Sequence, residues 1–221
     1  MSAEIAAFVR DTLGHAPSDP ALFELAFVHS SIGKHSYERL EFLGDRVLGL
    51  IIAETLYRRY PDEPEGNMSR RYNALVARET CAEVGRDIGV PALVRLGKQA
   101  REDRANEGDN VVGDVVEALI GALLIDGGLA AAERFVTRAW GAYLDGQARA
   151  PHHPKSMLQE LAAAQGRATP AYEVTARAGT HHAPRFTVRV AVRGIGEASA
   201  EGSSKQEAET AAAEALLAQL K

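Results

Sequence analysis

From the first residue to about residue 148, apolar positions recur every three or four residues, the spacing of helices that bury one stripe. The start "MSAEIAAFVRDTLG" reads as an amphipathic helix with acids in it, unlike a signal peptide. Ser18 and Asp19 before Pro20 make a cap and first-turn signal for "ALFELAFVHS", and the apolar-rich run from Tyr37 to Tyr60 stops at Pro61. Helices are expected next over Met68 to Gly89, over Asn110 to Asp126 with an end at Gly127-Gly128, and over Leu129 to Tyr143. "RLGKQAREDRANEGDN" reads as a polar loop, and "GQARAPHHPK" has the Gly, Pro and charge content of a linker.

Past that linker the period changes. Ser156 with Gln159 predicts a capping-box start for the helix "MLQELAAAQG". Three segments then read as strands: "AYEVTARAG", "RFTVRVAVRG" with clear alternation, and "IGEASAEG". Ser204 with Glu207 makes another capping box before "QEAETAAAEALLAQL". The expected organisation is multi-domain: an all-α domain over 1–147, a linker over 148–153, and a small α+β domain of α-β-β-β-α order over 154–221.

With 221 residues, 46% of them hydrophobic, the chain is long enough to bury real cores. No apolar run approaches the roughly 20 residues that cross a bilayer, so no membrane partner and a cytoplasmic location are expected. The one cysteine, Cys81, has no partner for an internal disulfide and reads as core packing. A net charge of −5 argues against a general polyanion binder, but it hides an asymmetry. Residues 151–221 carry 8 Lys+Arg, 7 Asp+Glu and four of the seven histidines, a balance of +1 against −6 for the rest. The two parts have different electrostatic jobs.

One stretch conflicts with its own surroundings. "NVVGDVVEALIGALLI", Asn110 to Ile125, is rich in Val, Ala, Leu and Ile and carries no ionisable side chain but Asp114 and Glu117, which share a face at i and i+3. Ionised carboxylates on so apolar a helix need a partner, a cation or a raised pKa. A second helix, "YERLEFLGDRVLGLIIAETL", ladders Glu38, Glu41 and Asp45, while Leu40, Leu43, Val47, Leu48, Leu50 and Ile51 supply its core side. If the two helices face each other, Glu41, Asp45, Asp114 and Glu117 make an all-oxygen pocket suited to Mg²⁺ or Mn²⁺ and unsuited to zinc. Glu38 has an alternative as a solvated acid paired with Arg39, Arg70 or Arg71. A di-iron site would need Glu-x-x-His, and the residues three after Glu41 and Glu117 are Gly44 and Ile120.

"ERLEFLGD" at Glu38 to Asp45 closely resembles the signature of the ribonuclease III family, and "GDVVEALIGALLIDGG" resembles that family's second acidic helix. "AFVHSS", through His29 and Ser31, and "YPDEPEGNMS", through Glu65-Gly66, are similar to two further family segments. The resemblance implies a helical endonuclease domain that dimerises and cuts double-stranded RNA. It implies Glu41, Asp45, Asp114 and Glu117 as ligands of Mg²⁺, with Mn²⁺ as substitute, Asp45 and Glu117 as catalytic, and Glu38 and Glu65 as accessory acids. No organic cofactor is implied. Tyr37 stands where the family commonly has Asn, and Gly113 where it usually has Ala; neither departure is expected to touch the ligand set. Phe42, Leu43 and Gly44 are expected to offer apolar and small surface to a symmetric partner. His29 is expected to be a hydrogen-bonded structural histidine rather than a base.

The α-β-β-β-α segment is similar to a double-stranded-RNA-binding domain, which reads A-form shape through 2′-hydroxyls and phosphates. That resemblance implies Gln159, Glu160 and His182 for the minor grooves and Lys205 for phosphates. Ala200-Glu201-Gly202 and Lys205-Gln206 depart from a common Gly-x-Gly and Lys pair, which implies modest affinity. The expected activity is metal-dependent cleavage to 5′-phosphate and 3′-hydroxyl ends with short 3′ overhangs, in the processing of ribosomal, messenger and transfer RNA precursors. Two other classes stay open at this point: a non-catalytic regulator that binds double-stranded RNA, and a helical metal-carboxylate oxidoreductase.

Overall fold

A computed structural model of the chain describes residues 2–147, 154–180 and 183–220. It falls into two compact units, 1–151 and 152–221. The linker expected at 148–153 lies outside the described residues.

The first unit is helical. α1 (Ala3–Ala7) starts at Ser2, whose hydroxyl accepts from the Ile5 N–H at 3.3 Å, and continues into a π-helical turn, Phe8–Thr12. α2 (Pro20–Ala26) is capped by the Asp19 carboxylate, which accepts from the Ala21 N–H at 3.0 Å. α3 runs Glu38–Arg59 and ends at Tyr60, as Pro61 requires. The single helix expected over Met68 to Gly89 is two, α4 (Glu65–Leu75) and α5 (Arg78–Asp87), with Ala77 extended between them at φ −61°, ψ 144°. No Gly or Pro marks that break. The stretch expected as loop contains a short helix, α6 (Lys98–Glu102).

α7 runs Asp109–Ala139 and bends at Gly128, whose φ of 72° and ψ of 178° suit a residue without Cβ. α8 (Gly141–Gly146) follows. By length and composition α7 could cross a membrane, which corrects the reading that no such segment exists. More than half of its most apolar window is buried in the unit's core, so its hydrophobicity is that of a central helix.

α3 and α7 form the central pair. Leu40, Val47, Leu48, Ile51, Ile52 and Leu56 of α3 pack with Val112, Val115, Val116, Leu119, Ile120 and Leu123 of α7 in one core. Each such side chain contributes roughly 1.5–3 kcal/mol on burial. Leu50, expected inside, is 56% exposed. Gly44, expected to face a partner, is buried against α7 instead. Trp140 is fully buried, and its indole N–H donates to the Leu75 carbonyl at 2.8 Å, tying α7 to the end of α4. Cys81 is buried in this core.

The second unit is an antiparallel sheet of order β1-β2-β3 with two helices packed on it. α9 (Pro154–Ala164) begins two residues before Ser156, with Pro154 in its first turn, so Ser156 is inside the helix and not its cap. β1 (Ala171–Thr180), β2 (Ala183–Val192) and β3 (Gly196–Gly202) pair in register Val174↔Val188 and Val188↔Ala200. Alternation puts Val188, Val190 and Val192 inward against Leu158, Ala162, Ala208, Ala212 and Leu216. Outward, Arg189 pairs with Glu173 at 2.8 Å and Glu197 at 3.4 Å. α10 (Lys205–Gln219) is capped by Ser204 Oγ, which accepts from the Glu207 N–H at 3.1 Å. The return arm of that box comes from Ser203, whose N–H donates to Glu207 at 2.7 Å.

Candidate active site

α3 and α7 cross where their acids lie. Glu41 from α3 and Asp114 and Glu117 from α7 each offer a carboxylate oxygen within 4.8 Å of the others, and all three are half-buried. Asp45 lines the same pocket, of about 240 Å³, with Val76, Arg78 and Gly113. The Asp45 carboxylate is paired with Arg46, its neighbour in sequence. So the structure brings three of the four expected ligands into one group, with the fourth on its wall.

Burial is the first cause that pushes the Glu117 carboxyl up to about 7, followed by the charges of Asp114 and Glu41. Burial also raises Glu41, helped by Asp114 and Glu38, and raises Asp114 against the lowering bond from Tyr37 and the charges of Arg78 and His29. Three acids held this close repel one another and favour a cation among them. Every donor is a carboxylate oxygen, which fits a hard cation such as Mg²⁺ or Mn²⁺. Cys81 contributes no thiolate: burial, then the Glu117 charge, pushes its thiol up to about 12.

Sequence reasoning missed two groups here. Arg78, the first residue of α5, lines the acid pocket and donates to Asn110 Oδ1 at 2.8 Å. It sits after a helix break that no breaker residue announces. Tyr37 is buried at the start of α3, and its hydroxyl donates to Asp114 Oδ2 at 3.2 Å. The expectation that this departure leaves the ligand set untouched is therefore wrong. Burial, then Asp114, raises the Tyr37 phenol far above its ordinary range, so it remains a donor. Gly113 also lines the pocket, and a Cβ there would meet Arg78 and Cys81 only at ordinary contact distances of 3.4–3.6 Å.

The other expected residues lie elsewhere. Glu38 is exposed; Ser36 Oγ donates to it at 2.9 Å, and its charge is felt at Glu41. Arg71 pairs with Glu63 at 2.6 Å, while Arg70 donates to Asn67 Oδ1 at 2.5 Å. Glu65 opens α4, accepts from Ser69 Oγ at 2.5 Å, and lines a separate hollow with Tyr57, Met68 and Tyr72. His29 Nδ1 accepts from the Ser31 N–H at 3.1 Å and lies 2.8 Å from Ser31 Oγ. In the second unit, Gln159 and Glu160 are exposed on α9. Lys205 is exposed at the start of α10, 3.8 Å from Glu209, which also holds Lys155 at 2.5 Å. His182 lies outside the described residues.

Comparisons with known proteins agree with this division. The Ribonuclease-III-like family model matches residues 19–142, and the Double-stranded RNA binding motif matches residues 154–220. The Ribonuclease 3 of Zymomonas mobilis is 55% identical over 210 residues, covering 95% of this chain and 85% of that protein. The Ribonuclease 3 of Rhodopseudomonas palustris is 44% identical, covering 96% and 80%. A solved nuclease domain of ribonuclease III from Campylobacter jejuni is similar at a TM-score of 0.58 and 28% identity, over 60% of this chain and 93% of that one.

Proposed function

Because this chain belongs to the ribonuclease III family, we propose that it is a divalent-metal-dependent endonuclease that cuts double-stranded RNA as a homodimer. The family and the C-terminal motif together support a double-stranded-RNA endoribonuclease. The finer reading is that cleavage leaves 5′-phosphate and 3′-hydroxyl ends in ribosomal and other structured RNA precursors. The observation that carries it is the convergence of Glu41, Asp114 and Glu117 from two apolar helices.

In this reading Glu41, Asp114 and Glu117 would hold the cation, with Asp45 beside them once its carboxylate leaves Arg46. A divalent ion bound there supplies charge neutralisation at the phosphodiester and activation of water. Arg78, exposed and lining the same pocket, adds positive charge that would attract a phosphate to the acids. The second unit supplies the duplex contacts through Gln159, Glu160 and Lys205, and the first, net acidic, supplies chemistry. Purified protein incubated with a long RNA duplex is expected to cut it in Mg²⁺ and to leave it intact in chelator. Cleavage in chelator would refute the metal reading, and no cleavage in either Mg²⁺ or Mn²⁺ would refute the enzyme.

The homodimer has its own support. Phe42, Leu50 and Tyr57 lie along one side of α3 at 66%, 56% and 72% exposure, with Ile125 of α7 at 54%. Phe42 and Ile125 line a hollow of about 720 Å³ with Leu22, Leu25 and Leu43. Exposed apolar surface grouped this way fits a partner subunit. The solved Campylobacter jejuni domain is described as having a region involved in dimer formation. Light scattering at micromolar concentration is expected to give twice the 23.7 kDa chain mass. A monomer that stays active would remove this part.

A further inference from the structure

We propose that Tyr37 is a positioning residue of the metal centre, holding Asp114 through its hydroxyl in the orientation that lets α7 and α3 share one cation. The proposal rests on the metal reading of the acid cluster and deepens it.

Tyr37 is at the junction that matters. It immediately precedes α3, which carries Glu38, Glu41 and Asp45, and its side chain crosses to α7 to reach Asp114 Oδ2 at 3.2 Å. Among the described residues it is the hydrogen-bonded link between an α3 terminus and the α7 acids. The bond is well braced. The Tyr37 N–H donates to the Val28 carbonyl at 2.9 Å, and its ring meets the His29 ring edge-on at 5.8 Å between centroids. The His29 ring is held by Ser31, whose hydroxyl also accepts from the Gly97 N–H at 2.9 Å. The phenol is therefore a donor whose direction is fixed by packing, and only 2% of the residue is exposed.

A carboxylate has two oxygens and a free terminal rotation. A fixed donor on one of them restricts that rotation and leaves the carboxylate with acceptor capacity for a cation shared with Glu41 and Glu117, removing rotamer freedom that the metal would otherwise have to freeze. Groups that orient metal ligands in this way change metal affinity or activity by roughly 10–100-fold when removed. Arg78 and His29 also place charge near Asp114, but neither is hydrogen-bonded to it among the described residues.

Tyr37→Phe keeps the ring, its packing and the backbone bond while deleting the hydroxyl alone. Metal uptake is read by calorimetric titration of Mn²⁺ into the RNA-free protein, alongside the Mg²⁺ concentration for half-maximal cleavage, duplex affinity in Ca²⁺, and melting without metal. The expected result is a 10–100-fold rise in both metal midpoints, unchanged duplex affinity, and recovery of much of the cleavage rate at high Mg²⁺. Metal midpoints within twofold of the parent would overturn the proposal. That holds whether the variant cuts normally or cuts and melts poorly, since the latter marks a packing role. A parent protein that takes up no Mn²⁺ overturns the metal reading and this inference together, whereas a metal-binding parent with an indifferent variant overturns only the inference.

Discussion

Glu117→Gln is expected to lower cleavage by orders of magnitude while leaving the protein folded and able to hold duplex RNA. The substitution keeps the side chain's length and removes one anionic oxygen from a group in which three carboxylates meet within 4.8 Å. If the acids exist to hold a divalent cation, the loss falls on the chemical step, because charge neutralisation and water activation both depend on correct placement. Stability should move the other way. The folded Glu117 carboxyl is raised to about 7 from 4.5, so its ionised form is disfavoured by folding. Its contribution is fully present below the unfolded value and is lost as pH rises through about 7. Without metal, the parent should lose stability between about pH 5 and pH 8; the Gln variant should lack this component and melt higher at the alkaline end. Gel shifts in Ca²⁺, cleavage rates in Mg²⁺ and metal-free melting at both pH values check the three parts. Cleavage within a few fold of the parent would make Glu117 a bystander, and joint collapse of binding and folding would make it structural.

The conflict that points to this residue is visible in the sequence because α7 is so apolar that two acids on one face stand out. The helices that carry the site, the three strands and the last helix are equally legible, since period and breakers agree there: Asp19-Pro20 opens α2, Pro61 follows α3, and Ser204 caps α10. Legibility fails where structure is set by tertiary contact. The break between α4 and α5 occurs at Val76-Ala77, two residues with nothing against a helix, and it places Arg78 at the acids. Ser156 has the right partner at Gln159, yet Pro154 starts the helix first. Leu50 fits an apolar stripe by spacing but faces outward, because α3 is lined with more apolar residues than one core face can cover. Tyr37 is the clearest case. Nothing in its neighbourhood says that its hydroxyl reaches a residue 77 positions away.

Gly44→Ala is expected to damage both fold and site, and the reason lies in how α3 and α7 meet. A Cβ on Gly44 would sit 1.7 Å from the backbone oxygen of Glu117, and one on Gly121 would sit 2.3 Å from the backbone oxygen of Leu40. The two helices touch backbone to backbone through this reciprocal pair, and the obstructing atoms belong to helical main chain that cannot rotate away. Short carboxylates on Glu41 and on Asp114 and Glu117 converge only because the axes are that close. Alanine would gain about 1 kcal/mol of helix propensity over glycine, but separating the helices costs about 3 kcal/mol, the upper end of the usual overpacking range. The clash wins. A net loss of about 2 kcal/mol should lower the melting temperature of the nuclease unit by roughly 4–8 °C. Metal uptake and cleavage should fall further than stability alone explains, since the acids are pulled apart at the temperature of assay. Gly66→Ala, inside α4, makes the control: nothing beyond its own stretch of helix lies within 4 Å of a Cβ there, so with no clash to offset the propensity gain it should cut like the parent and melt no lower. Calorimetric melting and Mn²⁺ titration of both variants settle it. A Gly44→Ala protein that melts with the parent refutes the backbone contact, and one that melts early yet binds metal and cuts normally in the cold shows that the acids do not need the crossing to be this close.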